Sequence, residues 1–291
     1  MNDVKQRIGS MTPLLSFEVQ DLIKKAWNED QALWDWTALS LSSECVAFIR
    51  SKSQGVFCGE AILSAWNYFP GLMNVEIQSS VSDGQWIEVN QIIATLRGKA
   101  SDLFRIERIT LNLIGYLSGI STYAALLVSE RPKESQTRIC TTRKTLPGYR
   151  NLAIYAAQCG GAHPHRLSLG AGILIKENHI LAAGSLSTAV SLARSVSPHG
   201  LKVECEVETL KELECAIDAN VDGVLLDNFT EKKLKEALLV LDRYKSIFVE
   251  VSGGISLSSI QNYFHPNINA ISVGSVTHSV KNHDFSMRVQ S

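Results

Sequence analysis

The chain reads as an α/β protein, an incomplete α/β barrel that follows an N-terminal α+β domain. Three observations predict this. At 291 residues the chain is longer than a single hydrophobic core usually needs, so one large barrel or two unequal domains are expected. From Thr137 onward short apolar runs alternate with helical stretches, the pattern of parallel strands covered by helices. Before that point the β-rich runs are separated by turn signals, as in an antiparallel sheet.

Composition narrows the function. A hydrophobic content of 45% with 20% charged residues is that of an ordinary globular protein, and a net charge of -1 argues against nucleic acid as a partner. Any anion must therefore be met by local charge. The six cysteines, Cys45, Cys58, Cys140, Cys159, Cys205 and Cys215, contain no Cys-x-x-Cys pair, and free thiols are expected. The first residues, Met-Asn-Asp-Val-Lys-Gln-Arg, lack the basic and apolar regions of a secretory signal, so export is not expected and the cytoplasm is.

The N-terminal third mixes periods. Segment 17–27 sets Phe17, Leu22, Ile23 and Ala26 roughly on one side, the spacing of a helix. Residues 45–49, 55–59 and 73–77 are short runs of β-formers, and Ser82-Asp83-Gly84 is a turn signal ahead of strand-like 86–89. Trp34 and Trp36 are expected to be packing residues. The uncharged stretch 109–129 is about long enough to span a bilayer. Thr110, Asn112, Ser118, Ser121, Thr122, Gly115 and Gly119 dilute it, and it reads as a buried amphipathic helix, opened by Arg105, Glu107 and Arg108, that joins the two parts. No membrane partner is expected.

In the second part seven runs are predicted as strands, at 138–141, 166–169, 173–175, 201–207, 223–226, 247–251 and 270–273. Segment 231–244 places Leu234, Leu238 and Leu241 on one face, as a helix coating a barrel should. Barrels of this kind carry chemistry where their strands end. Polar residues fall at those ends: Arg143 and Lys144 after the first run, Lys176 after the third, Asp227 after the fifth, Ser252-Gly253-Gly254 after the sixth and Gly274-Ser275 after the seventh.

The residue types define what such a mouth could hold. Thr142-Arg143-Lys144-Thr145-Leu146-Pro147-Gly148 combines two cations with two hydroxyls, and further cationic clusters follow at His163-Pro164-His165-Arg166 and Lys176-Glu177-Asn178-His179. An Arg fork matches a carboxylate at two points, while Lys is a compact charge for carboxylate or phosphate. Singly each could be a surface charge or a structural ion pair; together they describe a site for a dianionic acid. The pair His163 and His165 could ligate zinc, but no third soft ligand stands at a supporting spacing. Alternation in Val203-Glu204-Cys205-Glu206-Val207-Glu208 puts the three carboxylates on one face, where Glu204 pairs with a barrel Arg or Lys or serves the site. Ser252-Gly253-Gly254-Ile255 and Val273-Gly274-Ser275-Val276-Thr277-His278 are strands entering small-residue turns, where backbone amides can approach a phosphate.

This order of cations, carboxylates and glycine turns resembles the quinolinate phosphoribosyltransferase family, also called nicotinate-nucleotide pyrophosphorylase (decarboxylating), from about Glu107 to Ser279. The resemblance implies an incomplete α/β barrel of the type II phosphoribosyltransferase kind over 113–279. It implies an N-terminal α+β sandwich domain over 1–112, with the tail 280–291 packing back on it. It further implies that Arg143, His165, Arg166 and Lys176 surround quinolinate, with Arg108 supplied from a neighbouring subunit of a homodimer whose active sites are shared. Lys144 would face phosphoribosyl pyrophosphate, and Glu206 with Asp227 would hold the ribose hydroxyls and an associated magnesium ion, Mg2+, held indirectly. Ser252, Gly253, Gly254, Gly274, Ser275 and His278 would take the 5-phosphate. Lys144, Glu206 and Asp227 are the catalytic set on this reading, and the reaction is phosphoribosyl transfer to quinolinate with loss of carbon dioxide.

One departure concerns the pocket. The family shows three glycines and an Asn before its His-Arg pair, whereas this chain has Gly160-Gly161-Ala162-His163-Pro164-His165-Arg166. A related group associated with molybdenum transport can carry Pro before His-Arg but lacks the Lys-Glu-Asn-His segment kept here at Lys176. Two other readings are a Schiff-base lyase using Lys176 or Lys144, and a non-catalytic protein that binds a phosphorylated metabolite.

Overall fold

The structure, a computed structural model, describes residues 16–72 and 74–290. The first residues and Met73, on which the export and third-strand expectations partly fall, lie outside the described residues. The described residues open with helix α1 (Ser16–Glu29), then β1 (Glu44–Ser51), β2 (Gly55–Val56), α2 (Glu60–Trp66), β3 (Glu76–Ser79), β4 (Trp86–Ile87) and β5 (Ile92–Lys99). The long helix α3 (Ala100–Ser129) leads to β6 (Arg138–Cys140), α4 (Arg150–Cys159), β7 (Ile173–Ile175), α5 (Glu177–Ala183) and α6 (Leu186–Val196). There follow β8 (Val203–Val207), α7 (Leu210–Asp218), β9 (Gly223–Asp227), α8 (Glu231–Leu241), β10 (Phe248–Ser252), β11 (Ala270–Ser272), α9 (Ser275–His278) and β12 (Phe285–Val289).

The chain divides into two compact units. Of the described residues, the first holds those up to 125, 146–161 and those from 279 on, and the second 126–145 with 162–278. A boundary expected at 112/113 thus falls at 125/126, inside α3. The apolar face of that helix runs through Leu103, Ile106, Ile114, Leu117, Ile120 and Ala124 without a break, so nothing in its packing marks residue 112.

The first unit is built on an antiparallel sheet of order β12-β1-β5-β3. The C-terminal strand joins it directly, with Ala47 opposite Val289 and Ser51 opposite Phe285. Helices α1 and α2 meet through Trp27, Trp66 and Phe69, whose rings lie 5.1 to 6.2 Å apart. Trp34 and Trp36 differ from expectation. They stack on each other at 5.8 Å and stay 62% and 76% exposed, because the short turn that carries them leaves both rings outside the core.

Among the described residues α3 is the one helix long and apolar enough to cross a membrane, and 61% of its most apolar stretch is buried inside the protein. Its polar residues explain why. Ser118 Oγ accepts the N–H of Cys58 at 3.0 Å, Thr122 Oγ1 accepts that of Val56 at 2.9 Å, and Ser121 Oγ donates to Val56 O at 2.6 Å. The helix therefore completes the backbone hydrogen bonding of the Val56–Cys58 segment. A Cβ on Gly115 would stand 2.8 Å from His283 O, so the glycine there lets the C-terminal segment lie against the helix.

The second unit is a six-stranded parallel sheet of order β6-β11-β10-β9-β8-β7, an incomplete barrel open between β6 and β7. One of the seven expected strands, 166–169, does not form. His163 alone makes a parallel bridge to Cys140 on the β6 edge, and Pro164, which has no N–H to donate, ends the ladder. Leu167 and Leu169 consequently remain exposed. Helix α8 buries Leu234, Leu238 and Leu241 on one face. Because all six strands run the same way, Lys176, Asp227, Ser252 and Gly274 emerge at one end of the sheet.

Candidate active site

Strand register brings the carboxylates and cations of the second unit together. Asp227 is the last residue of β9 and pairs with Ser252, the last of β10; Glu206 lies level with Leu225 one strand away. Lys176, the residue before α5, forms an ion pair with Glu206. Burial raises the Asp227 pKa, and the nearby Glu206 charge raises it further, while Lys176 and Lys144 act in the opposite direction. Asn228 Nδ2 donates to Asp227 Oδ2 at 2.7 Å. Two lysines and two carboxylates thus share one electrostatic neighbourhood.

Lys144 is held by its backbone. Thr277 Oγ1 donates to its carbonyl at 2.7 Å, and a Cβ on Gly274 would meet His278 Nε2 at 3.0 Å and Lys144 Cδ at 3.4 Å. Gly274, His278 and Lys144 are therefore neighbours. Gly253 and Gly254 have φ of 98° and 62°, a left-handed backbone that a side chain would strain, and a Cβ on Gly253 would collide with the Asn228 amide. That turn packs directly on the end of β9, since Asn228 N donates to Ser252 O at 3.0 Å.

Arg143, Arg166 and His165 form the second part. Burial lowers the Arg166 pKa, and the Arg143 charge lowers it further, so the two guanidiniums feel each other's charge. Arg166 Nη1 donates to Gly172 O at 2.9 Å, and the buried Nε of Arg143 has no hydrogen-bond partner. Two cations within reach of each other's charge, one with a buried donor unused, have the chemistry to receive an anion.

His165 points toward two carboxylates. Its Nε2 lies 3.5 Å from Glu204 Oε2 and 3.3 Å from Glu250 Oε2, while its Nδ1 accepts the N–H of Arg166 at 2.6 Å. Glu204 therefore pairs with a histidine, not with the Arg or Lys that sequence reasoning offered, because His165, two residues after the bridge at His163, reaches its carboxylate. The carboxylates raise the ring pKa to about 9. A second ring proton would nevertheless have to sit on Nδ1, against the Arg166 N–H. The contact at Nδ1 is direct, and it assigns the ring proton to Nε2. Burial raises the Glu204 pKa, and Cys140 beside the pair is pushed to about 12, first by burial and then by Glu250.

Glu250 is the residue that sequence reading missed. It is 2% exposed, and its Oε1, like that of Glu204, is buried without a hydrogen-bond partner. The signal was a single carboxylate inside Phe248-Val249-Glu250-Val251-Ser252, hidden because the run reads as apolar. Among the described residues two groups have ligand atoms within 4.8 Å of one another and could hold a metal ion: His165 with Glu204 and Glu250, and Cys58 with Asp83 and Cys159 in the first unit. His163 joins neither; its backbone holds β6 through Ile139 and Thr141. Arg108 belongs to the first unit, exposed on α3.

The whole chain resembles known proteins. Residues 35–118 match the model of the quinolinate phosphoribosyl transferase N-terminal domain and residues 120–288 that of its C-terminal domain. A probable nicotinate-nucleotide pyrophosphorylase (carboxylating) of Bacillus subtilis is 38% identical over 94% of this chain and 93% of its own length. The human nicotinate-nucleotide pyrophosphorylase (carboxylating) is 36% identical over 84% of this chain and 82% of its own. The solved structure of the nicotinate-nucleotide pyrophosphorylase from Francisella tularensis superposes with a TM-score of 0.88 at 34% identity, covering 96% of this chain and 98% of that one. With both domains matched in order and the fold shared end to end, the chain belongs to the quinolinate phosphoribosyl transferase family.

Proposed function

We propose that the chain transfers the 5-phosphoribosyl group of phosphoribosyl pyrophosphate to the ring nitrogen of quinolinate and releases carbon dioxide, giving nicotinate mononucleotide and pyrophosphate. The observation that carries this reading is the meeting of Glu206 and Asp227 with Lys144 and Lys176 at the strand ends of the second unit, together with a pair of guanidiniums, Arg143 and Arg166, that feel each other's charge. Arg143, Arg166 and Lys176 hold the quinolinate carboxylates, and the partner subunit's Arg108 completes that wall in a homodimer; His165, expected among them, has Nε2 engaged by Glu204 and Glu250 and Nδ1 by the Arg166 N–H, and stands behind Arg166. Lys144 faces the donor pyrophosphate. Ser252, Gly253, Gly254, Gly274, Ser275 and His278 cradle the 5-phosphate, with backbone amides supplying donors where glycine permits close approach.

The bond from the ribose anomeric carbon to pyrophosphate breaks first, leaving an oxocarbenium-like sugar that Glu206 and Asp227 stabilise by their negative charge. The pyridine nitrogen, held in line by the cations on the two carboxylates, then bonds to that carbon and becomes positive. A positive nitrogen accepts electron density from the adjacent carbon, so the neighbouring carboxylate departs as carbon dioxide and a proton takes its place. Two mutually repelling carboxylates at Glu206 and Asp227 fit a hard cation bound with phosphate and water oxygens. Magnesium bound there supplies positive charge to the departing pyrophosphate. A lyase working through Lys176 fares worse, since that amine is already engaged by Glu206 and Schiff-base chemistry needs it free. We place the reaction in the cytoplasm.

The test is incubation with quinolinate, phosphoribosyl pyrophosphate and magnesium while pyrophosphate and carbon dioxide are followed. Release of both in equal amounts is expected. Binding without release would leave a binding protein, and a borohydride-trapped lysine adduct would leave a lyase.

A further inference from the structure

Behind the cations sits a group for which the reaction above has no use. Glu250 lies in the middle of β10, between β9 and β11, with its carboxylate out of contact with solvent. A carboxylate in that position costs stability unless something repays it, and an apolar side chain of similar volume would fill the space at less cost. Among the described residues Oε1 has no hydrogen-bond partner, and Oε2 lies 3.3 Å from His165 Nε2. From there a short chain of contacts leads to the substrate cations. The other ring nitrogen of His165 accepts the Arg166 N–H, and the Arg166 side chain is braced on Gly172 O at 2.9 Å.

We propose that Glu250 is a positioning residue: by accepting the Nε2–H of His165 alongside Glu204, it sets the plane and tautomer of that ring, and through Nδ1 it sets the turn that aims Arg166 at a substrate carboxylate. Glu250 need not touch the substrate. Its effect falls on the acid that Arg166 binds, while the phosphoribosyl donor, held at the ends of β9, β10 and β11, is spared. The role rests on the reading of the site given under Proposed function, but its structural half can be examined without turnover.

Three measurements test it. In the wild-type protein 15N NMR of the histidine rings should show His165 protonated at Nε2; a ring protonated at Nδ1 alone overturns the proposal, whether or not the protein turns quinolinate over. In Glu250→Leu, which keeps volume but has no acceptor, the His165 ring signals should move and the KM for quinolinate should rise ~10-fold or more, with the KM for phosphoribosyl pyrophosphate nearly unchanged. In Glu250→Gln, which keeps an acceptor oxygen, the quinolinate KM should return most of the way. Unmoved ring signals in Glu250→Leu, a parallel rise in both KM values, or a Gln variant as impaired as Leu each overturn it. So does a stoichiometric metal ion on His165, Glu204 and Glu250 by elemental analysis. If wild-type protein fails to turn over quinolinate while the ring responds to Glu250→Leu, the functional reading falls and the hold on His165 stands.

Discussion

Each unit of this protein buries a carboxylate beside a titratable ring, and the two are treated differently. In the first unit Asp83 Oδ1 accepts the N–H of Gly59 at 2.6 Å and of Glu60 at 3.0 Å, and Oδ2 accepts the Tyr155 hydroxyl at 2.9 Å. Three of about four lone-pair directions are used. Burial raises the Asp83 pKa, and those three donors pull it back. Nearby Cys58 is pushed well up, chiefly by burial. In the second unit Glu204 and Glu250 each keep a buried oxygen with no partner and share one histidine. A carboxylate whose lone pairs are spent on backbone donors serves the fold. One left partly unsatisfied next to cations is set aside for a site.

That contrast can be broken from either side. The largest effect should come from stripping magnesium with a chelator: turnover should fall to background while the unfolding transition stays where it is, and activity surviving exhaustive chelation would remove Glu206 and Asp227 from the metal's account. Next, Arg143→Ala or Arg166→Ala should weaken quinolinate binding by about 2–5 kcal/mol while the fold survives, as judged by steady-state kinetics and circular dichroism. Near-normal kinetics in either variant would mean that these cations are structural.

Asp83→Ala should do the reverse, costing about 3 kcal/mol in denaturant unfolding because it leaves several donors unpaired, with kcat per folded molecule unchanged. A variant of full stability but low kcat would erase the distinction between the two clusters. The smallest effect is expected from Tyr155→Phe, about 1 kcal/mol. Burial foremost, then the Asp83 charge, lifts the Tyr155 pKa far above its unfolded value. The hydroxyl therefore contributes stability that is complete below the unfolded pKa of about 10 and is lost as pH rises beyond it. Stability of Tyr155→Phe should accordingly fall less steeply than wild type above that pH, and parallel alkaline limbs would contradict this.

Much of the architecture and the site was legible in the residues themselves. Period and punctuation marked α1, the long helix α3, α8 and most strands of the parallel sheet, because alternation and 3.6-residue spacing are local properties. The strand-end cations, Glu206, Asp227 and the two glycine turns could be picked out because a parallel sheet must deliver its strand ends to one side. What failed did so where the deciding partner was distant in sequence. Segment 166–169 has the composition of a strand, yet the isolated bridge from His163 to Cys140, followed by Pro164, stops it short. Glu250 looked like one polar residue in an apolar run, and only the arrival of His165 from 85 positions earlier gives its carboxylate a purpose. By itself the sequence determined the fold class, the order of the elements and which charges stand at strand ends, since each follows from neighbours within a few residues. The tertiary structure alone decided which buried carboxylates are satisfied and which are left open, since that depends on donors brought from other strands at hydrogen-bond range, a distance that no local pattern encodes.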